Sequence, residues 1–168
     1  PMLRKVRQTI PTSLRTADMD KMAVMMGVAK TLSLNSTCAR RAVGCVLLNK
    51  EGHILSTGYN GVPRGFQHCT ENSCSGVGYA SGQGLDVCQA VHAEQNALMQ
   101  CRNMLDINAV FVTTSPCMHC MKMLLNTPAR VIWYETVYDE DALRLWRASP
   151  NVDCLGLRTA VQIAAARW

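Results

Sequence analysis

The sequence predicts an α/β domain built in three layers, α/β/α, with the sheet in the middle. Three observations predict it. An apolar stripe at helical spacing runs through residues 17–34, two strand-like runs joined by a turn follow at 43–58, and helix and strand patterns alternate from residue 91 onward.

Residues 17–34 carry apolar side chains at 22, 25, 26, 29 and 32, one face of a helix. Asp18 or Asp20 is placed to cap its start. Its methionines read as core filler. VGCVLL (43–48) and HILSTG (53–58) read as two strands, and NKEG between them is a hairpin turn. Residues 59–89 are rich in Gly, Ser, Asn and Cys and show no period. A connection this long inside a compact domain is functional or stapled. Helices are expected at 91–104, 117–126 and 139–148, the last with Asp139, Glu140 and Asp141 suiting its N-terminus. Strands are expected at 109–114 and 130–134, a fifth at 152–157, and a final helix ends at Trp168. No repeat or linker divides the chain, so residues 1–168 form one domain with an insertion at about 61–91.

The 168 residues suffice to bury a core without disulfides. A hydrophobic content of 48% excludes a disordered tail. The apolar runs fall short of the ~20 residues that a membrane span needs. The basic start has no apolar stretch after it, so no secretory signal is expected and the cytoplasm is, or a host cytoplasm for a viral gene. Pro1 before Met2 looks like the remnant of a cleaved tag. The net charge of +5 suits phosphorylated small molecules or nucleic acid, although Arg4, Lys5 and Arg7 account for part of it near the terminus. The nine cysteines are an odd number, so a reduced compartment is expected and paired cysteines read as metal ligands before disulfides.

Two segments carry chemistry. His92-Ala93-Glu94 opens one predicted helix, and Pro116-Cys117-Met118-His119-Cys120 hands a strand over to another. Together they spell H-x-E…P-C-x-x-C, the spacing of zinc-dependent nucleobase deaminases. His92, Cys117 and Cys120 provide one imidazole and two thiolates, three ligands that leave one tetrahedral position for water. In C-x-x-C at a helix start both sulfurs face one point, where the positive helix end favours thiolate. Glu94, two residues from His92, reaches the open position without ligating. It suits a proton carrier from water to the ring nitrogen and then to departing ammonia. His119 competes as a ligand, but its side chain diverges from both cysteines. Cys45, Cys101 and Cys154 fall in apolar contexts and read as core thiols.

Three further runs extend the pattern: Cys38-Ala39-Arg40-Arg41-Ala42-Val43-Gly44, Gly58-Tyr59-Asn60-Gly61-Val62-Pro63-Arg64-Gly65 and His92-Ala93-Glu94-Gln95-Asn96-Ala97. With them, residues 38–138 resemble the deoxycytidylate (dCMP) deaminases of the cytidine deaminase superfamily. The cysteine-rich insertion is similar to that of late-competence-type and phage members. The resemblance implies a five-stranded mixed sheet between helices and a homohexamer. It implies hydrolysis of dCMP to dUMP and ammonia, which feeds thymidylate synthesis. It also implies that Asn60 bonds the sugar hydroxyl and that the Ser115 carbonyl accepts from the cytosine amino group. Tyr138 would stand at the mouth of the site, and Arg40 and Arg41 within reach of the substrate phosphate. Tyr59, Asn60, Gly61, Val62, Pro63, Arg64 and Gly65 match the loop that in allosteric members binds dCTP as activator and dTTP as inhibitor, with Mg2+. Glycines there admit phosphates to the backbone, and Arg64 can pair with them.

A second zinc is expected in the insertion. Cys38, Cys69, Cys74 and Cys88 would close a structural site that keeps such a loop ordered, with His68 as a substitute ligand. Cys38 and Cys69 match ligand positions in relatives, whereas Cys74 and Cys88 come from spacing alone.

Other functions compete for the same residues. A tRNA or single-stranded DNA deaminase needs a basic groove and stacking aromatics, and the chain is 5% aromatic with no dense basic run near the motifs. A free-nucleoside deaminase leaves Arg40 and Arg41 unexplained. Action on dCTP beside dCMP stays open, because the phosphate pocket is not legible from spacing. A non-enzymatic two-zinc scaffold has no use for Glu94 beside an open position.

Overall fold

The computed structural model describes residues 16–72, 74–80, 82–84, 86–150 and 157–159. The elements are α1 (Thr16–Ser33), β1 (Gly44–Leu48), β2 (Ile54–Tyr59), α2 (Ala93–Gln100), β3 (Ala109–Thr114), α3 (Met118–Leu125), β4 (Val131–Thr136), α4 (Glu140–Ala148) and β5 (Leu157–Thr159). The strands lie in the order β2-β1-β3-β4-β5. β1 pairs antiparallel with β2 and β3, while β3, β4 and β5 run parallel. The antiparallel half follows from the short 49–53 turn, and the parallel half from the crossover through α3.

Side chains alternate across the sheet and assign its two faces. Val46, Leu48, Phe111 and Trp133 face α1, where Met26 and Ala29 cover them. Cys45, Leu47, Val110, Val112, Ile132 and Tyr134 face the other way and pack on α2, α3 and α4 through Ala93, Ala97, Met121, Leu124, Leu143 and Trp146. The methionines of α1 are core, as expected. Gly58 of β2 permits a close layer contact. A Cβ there would collide with the Ala93 carbonyl and fall 2.5 Å from the Ala97 amide, so α2 rests directly on the strand.

Element bounds depart from expectation where a side chain competes with the ladder. α1 begins at Thr16, so Asp18 lies inside its first turn and is not its cap. β2 begins at Ile54 because Asn49 Oδ1 accepts from the His53 amide and Gly52 turns the chain at φ +79. α2 ends at Gln100 and not at 104. Cys101 is extended there, and Asn103 Oδ1 accepts from the Leu105 amide to start a separate 3-10 turn, Met104–Asp106. A fifth strand is present at Leu157–Thr159, while residues 152–156 of the predicted one lie outside the described residues. Cys154 and the predicted final helix lie outside the described residues.

Candidate metal centre and cleft

Two helix starts meet at one point. His92 is the N-cap of α2 and Cys117 the N-cap of α3, both in extended backbone, with Cys120 one turn into α3. The His92 Nδ1 atom lies 3.4 Å from Cys117 Sγ and 3.4 Å from Cys120 Sγ. Tetrahedral zinc with ordinary Zn–N and Zn–S bonds requires N···S separations of about 3.5 Å. The donor set therefore fits the ion. Among the described residues it is the one group whose ligand atoms all lie within 4.8 Å of one another.

The shell around these donors fixes them. The Gln95 side chain accepts from the His92 amide at 2.9 Å and locks the start of α2. The Asp139 carboxylate accepts from the Met118 amide at 3.0 Å and from the Ala142 amide at 2.9 Å, so one side chain caps both α3 and α4. Ser115 Oγ accepts from the Tyr138 amide at 2.8 Å and ties the turn before α4 to the turn before α3. Gln95 carried a visible signal, the H-x-x-Q spacing of a capping box. The bond from Asp139 to α3 spans 21 residues and had no local signal.

Electrostatics follow from burial and from shared protons. A hydrogen bond from Cys120 draws the Cys117 thiol down to about 3. Cys120, as the donor of that bond and deeply buried, is pushed far up. Without metal the two sulfurs thus hold one proton between them. The bond to Cys117 raises His92. Glu94 is 4% exposed, and desolvation lifts its carboxyl to about 7. Burial, reinforced by the nearby Glu94 charge, raises Cys45 well above the ordinary thiol range. Cys45 and half-buried Cys101 belong to the core, as read from sequence. His119 is exposed, consistent with its divergence from the cysteines.

A cleft of about 380 Å³ opens onto the centre. It brings together Cys38, Arg40, Arg41, Asn60, Ser115 and Tyr138, along with the metal-facing His92, Glu94 and Cys117. Asn60 is buried, and its Oδ1 accepts from the Val43 amide while Nδ2 donates to the Arg41 carbonyl. An oxygen lone pair and a second amide hydrogen remain for a ligand. The Arg41 guanidinium sits 4.5 Å over the Tyr138 ring. Arg40 also has partners outside the cleft. Its guanidinium is turned into the insertion, where it donates to the carbonyls of Ala80 (2.8 Å), Gln83 (3.0 Å) and Tyr79 (3.4 Å). All three carbonyls converge on its Nη2, and Arg40 lines the cleft at the same time.

Of Tyr59 to Gly65, Asn60 lines the cleft. Gly61 and Val91 exchange backbone hydrogen bonds (3.1 and 2.8 Å) that close the neck of the insertion. Val62, Pro63, Arg64 and Gly65 lead outward, Arg64 and Gly65 exposed and Gly65 at φ +86. In the insertion, the Cys74 amide donates to Cys69 Sγ at 3.4 Å. The Gln89 amide, helped by the Cys69 and Cys88 thiols, holds Cys74 down at about 7, and Cys38 and Cys74 bear on Cys88. The four expected thiols are thus neighbours, though no three of them bring their sulfurs within 4.8 Å of one another. His68 is 52% exposed, with its Nδ1 3.9 Å from the Glu71 carboxylate.

An open three-donor site with a buried carboxylate beside it, at the foot of a cleft, is a mononuclear metal centre of the catalytic kind. The chain belongs to the cytidine and deoxycytidylate deaminase family, whose zinc-binding region matches residues 19–136. The deoxycytidylate deaminase of Schizosaccharomyces pombe is 36% identical over 121 residues, which are 70% of this chain and 37% of that protein. That of Mycobacterium phage D29 is 36% identical over 107 residues, 59% of this chain and 81% of the phage protein. The chain spans less than two fifths of the two yeast relatives that it matches, at 37% and 39% of their lengths. The dCMP deaminase of cyanophage S-TIM5, solved with dCMP and dUMP, is 27% identical with a TM-score of 0.61, covering 83% of this chain and 95% of that one.

Proposed function

We propose that the chain hydrolyses dCMP to dUMP and ammonia. The observation that carries this reading is the buried Glu94 carboxyl beside the convergent His92, Cys117 and Cys120 donors at the foot of a nucleotide-sized cleft. Relatives and a structural neighbour that are deoxycytidylate deaminases support it.

His92, Cys117 and Cys120 would hold zinc, which supplies Lewis acidity and makes a water acidic near neutral pH. Glu94 takes the proton from the attacking water and delivers it to pyrimidine N3 as C4 becomes tetrahedral. It then carries the remaining hydroxyl proton to the amino group, which leaves as ammonia while the C4 carbonyl forms. Burial lifts this carboxyl toward neutrality in the metal-free chain, the direction that suits a group that both accepts and donates a proton. Asn60 addresses the sugar, the Ser115 carbonyl the amino group, and Arg41, backed by Tyr138, the phosphate.

Several finer readings belong to the same proposal. Cys38, Cys69, Cys74 and Cys88 draw together around a second, structural zinc. The Tyr59–Gly65 loop, with exposed Arg64, takes Mg-dCTP as activator and Mg-dTTP as inhibitor. The chain assembles as a homohexamer and works in the cytoplasm. Among the described residues no helix is long and apolar enough to cross a membrane.

The test is ammonia release from dCMP, dCTP, deoxycytidine and a short single-stranded DNA, each with and without Mg-dCTP or Mg-dTTP. Turnover of dCMP, raised by Mg-dCTP and lowered by Mg-dTTP, is the expected result. Turnover of the oligonucleotide alone would move the chain to the nucleic-acid branch.

A further inference from the structure

The insertion walls the cleft as well as carrying thiols. Val77, Tyr79, Gly82 and Cys88 line the cavity that reaches His92 and Glu94. Tyr79 is the bulky member of this wall and 51% exposed, so a large aromatic surface faces a site with space beside it. Such a surface has a physical use when a nucleotide covers it, because every base and sugar offers an apolar face.

The pose of this ring is held by backbone. Gly84, at φ +60, lies against it, and a Cβ on Gly84 would fall 2.9 Å from Tyr79 Cβ and nearer still to the ring. The turn that carries both residues hangs on Arg40, through its bonds to the carbonyls of Tyr79, Ala80 and Gln83. Gly82 in the same turn faces the Tyr138 hydroxyl, 3.9 Å from where a Cβ would stand. One cation therefore pins an aromatic wall beside the Arg41–Tyr138 pair at the mouth.

We infer that Tyr79 is a substrate-contacting residue of the cleft and that Arg40 is the positioning residue that holds it there. The inference rests on the nucleotide reading proposed above. Arg40, which the sequence aimed at the phosphate, also orders the wall, while Arg41 remains beside the mouth.

The test compares wild type, Tyr79→Ala, Tyr79→Leu and Arg40→Ala by dCMP kinetics, dUMP titration calorimetry, zinc content and limited proteolysis. Loss of one stacking platform predicts about a tenfold rise in KM for Tyr79→Ala, with kcat falling far less and dUMP affinity falling in parallel. Tyr79→Leu, which keeps bulk without the aromatic face, should lie between. Arg40→Ala should reproduce the KM rise and speed cleavage within residues 79–88, with the zinc of the His92 centre retained. Wild-type KM and dUMP affinity in both Tyr79 variants would overturn the contact. Cleavage and KM unchanged in Arg40→Ala would overturn the positioning role. A wild-type protein that neither binds nor turns over dCMP would overturn the deaminase reading itself, an outcome visible before any variant is made.

Discussion

At the scale of single residues, Glu94 concentrates the chemistry. It is buried among a histidine and three thiols, and its carboxyl sits near 7 because burial disfavours the charge. Glu94→Gln keeps the shape and removes the proton carrier. Turnover of dCMP should fall by about 10²–10⁴-fold, with zinc content unchanged by metal analysis. Retained turnover would remove Glu94 from the mechanism. The same shift predicts a pH dependence of the metal-free protein. The folded carboxyl titrates near 7 against an unfolded value of 4.5, so the folded state binds the extra proton between those values. Stability from this group is complete below 4.5 and is lost as pH rises through 7. Thermal melts of chelated wild type and Glu94→Gln should converge in acid and diverge toward neutral pH, the wild type losing ground. Parallel curves would refute the raised carboxyl.

At the scale of elements, the centre exists because α2 and α3 both start at it. Their N-caps are His92 and Cys117, and two positive helix ends face the thiolates together. Asp139 links this arrangement to α4. Asp139→Ala removes a cap from two helices at once and should cost about 1–2 kcal/mol of stability in a denaturant melt. It should also weaken zinc retention against a chelator, since the Met118 amide follows Cys117 directly. The two bonds use both carboxylate oxygens, so Asp139→Asn, which keeps one acceptor oxygen, should restore only one of the two caps. If zinc retention is untouched in the alanine variant, the cap acts on stability alone. The strands and helices near this centre were legible because their apolar periods were clean: 109–114 is matched residue for residue by β3. The end of α2 was not, because Asn103 offers the backbone a competing partner.

At the scale of the whole molecule, the insertion poses the question. Its neck is closed by Gly61 and Val91, and its thiols lie near one another. A second zinc drawn in by Cys38, Cys69, Cys74 and Cys88 predicts two zinc per chain. Replacing Cys69 with Ser should lower the count to one and expose residues 61–91 to proteolysis, since a loop with so few apolar anchors depends on its staple. One zinc per chain in active wild-type protein would reject this second site.

By itself the sequence determined the layer order and which residues converge, His92, Cys117 and Cys120 with Glu94 beside them. These are local matters: periodicity sets which face of a helix or strand is buried, and C-x-x-C at a helix start aims both sulfurs at one point. The tertiary structure alone decided where Arg40, Asp139 and Tyr79 make their contacts. Arg40 and Arg41 are neighbours in the chain, yet one turns into the insertion and the other over Tyr138. The reason is that a long cation takes whatever acceptors the folded surroundings present. Those carbonyls, about 40 residues further along the chain, come within reach only when the insertion has folded back onto the cleft.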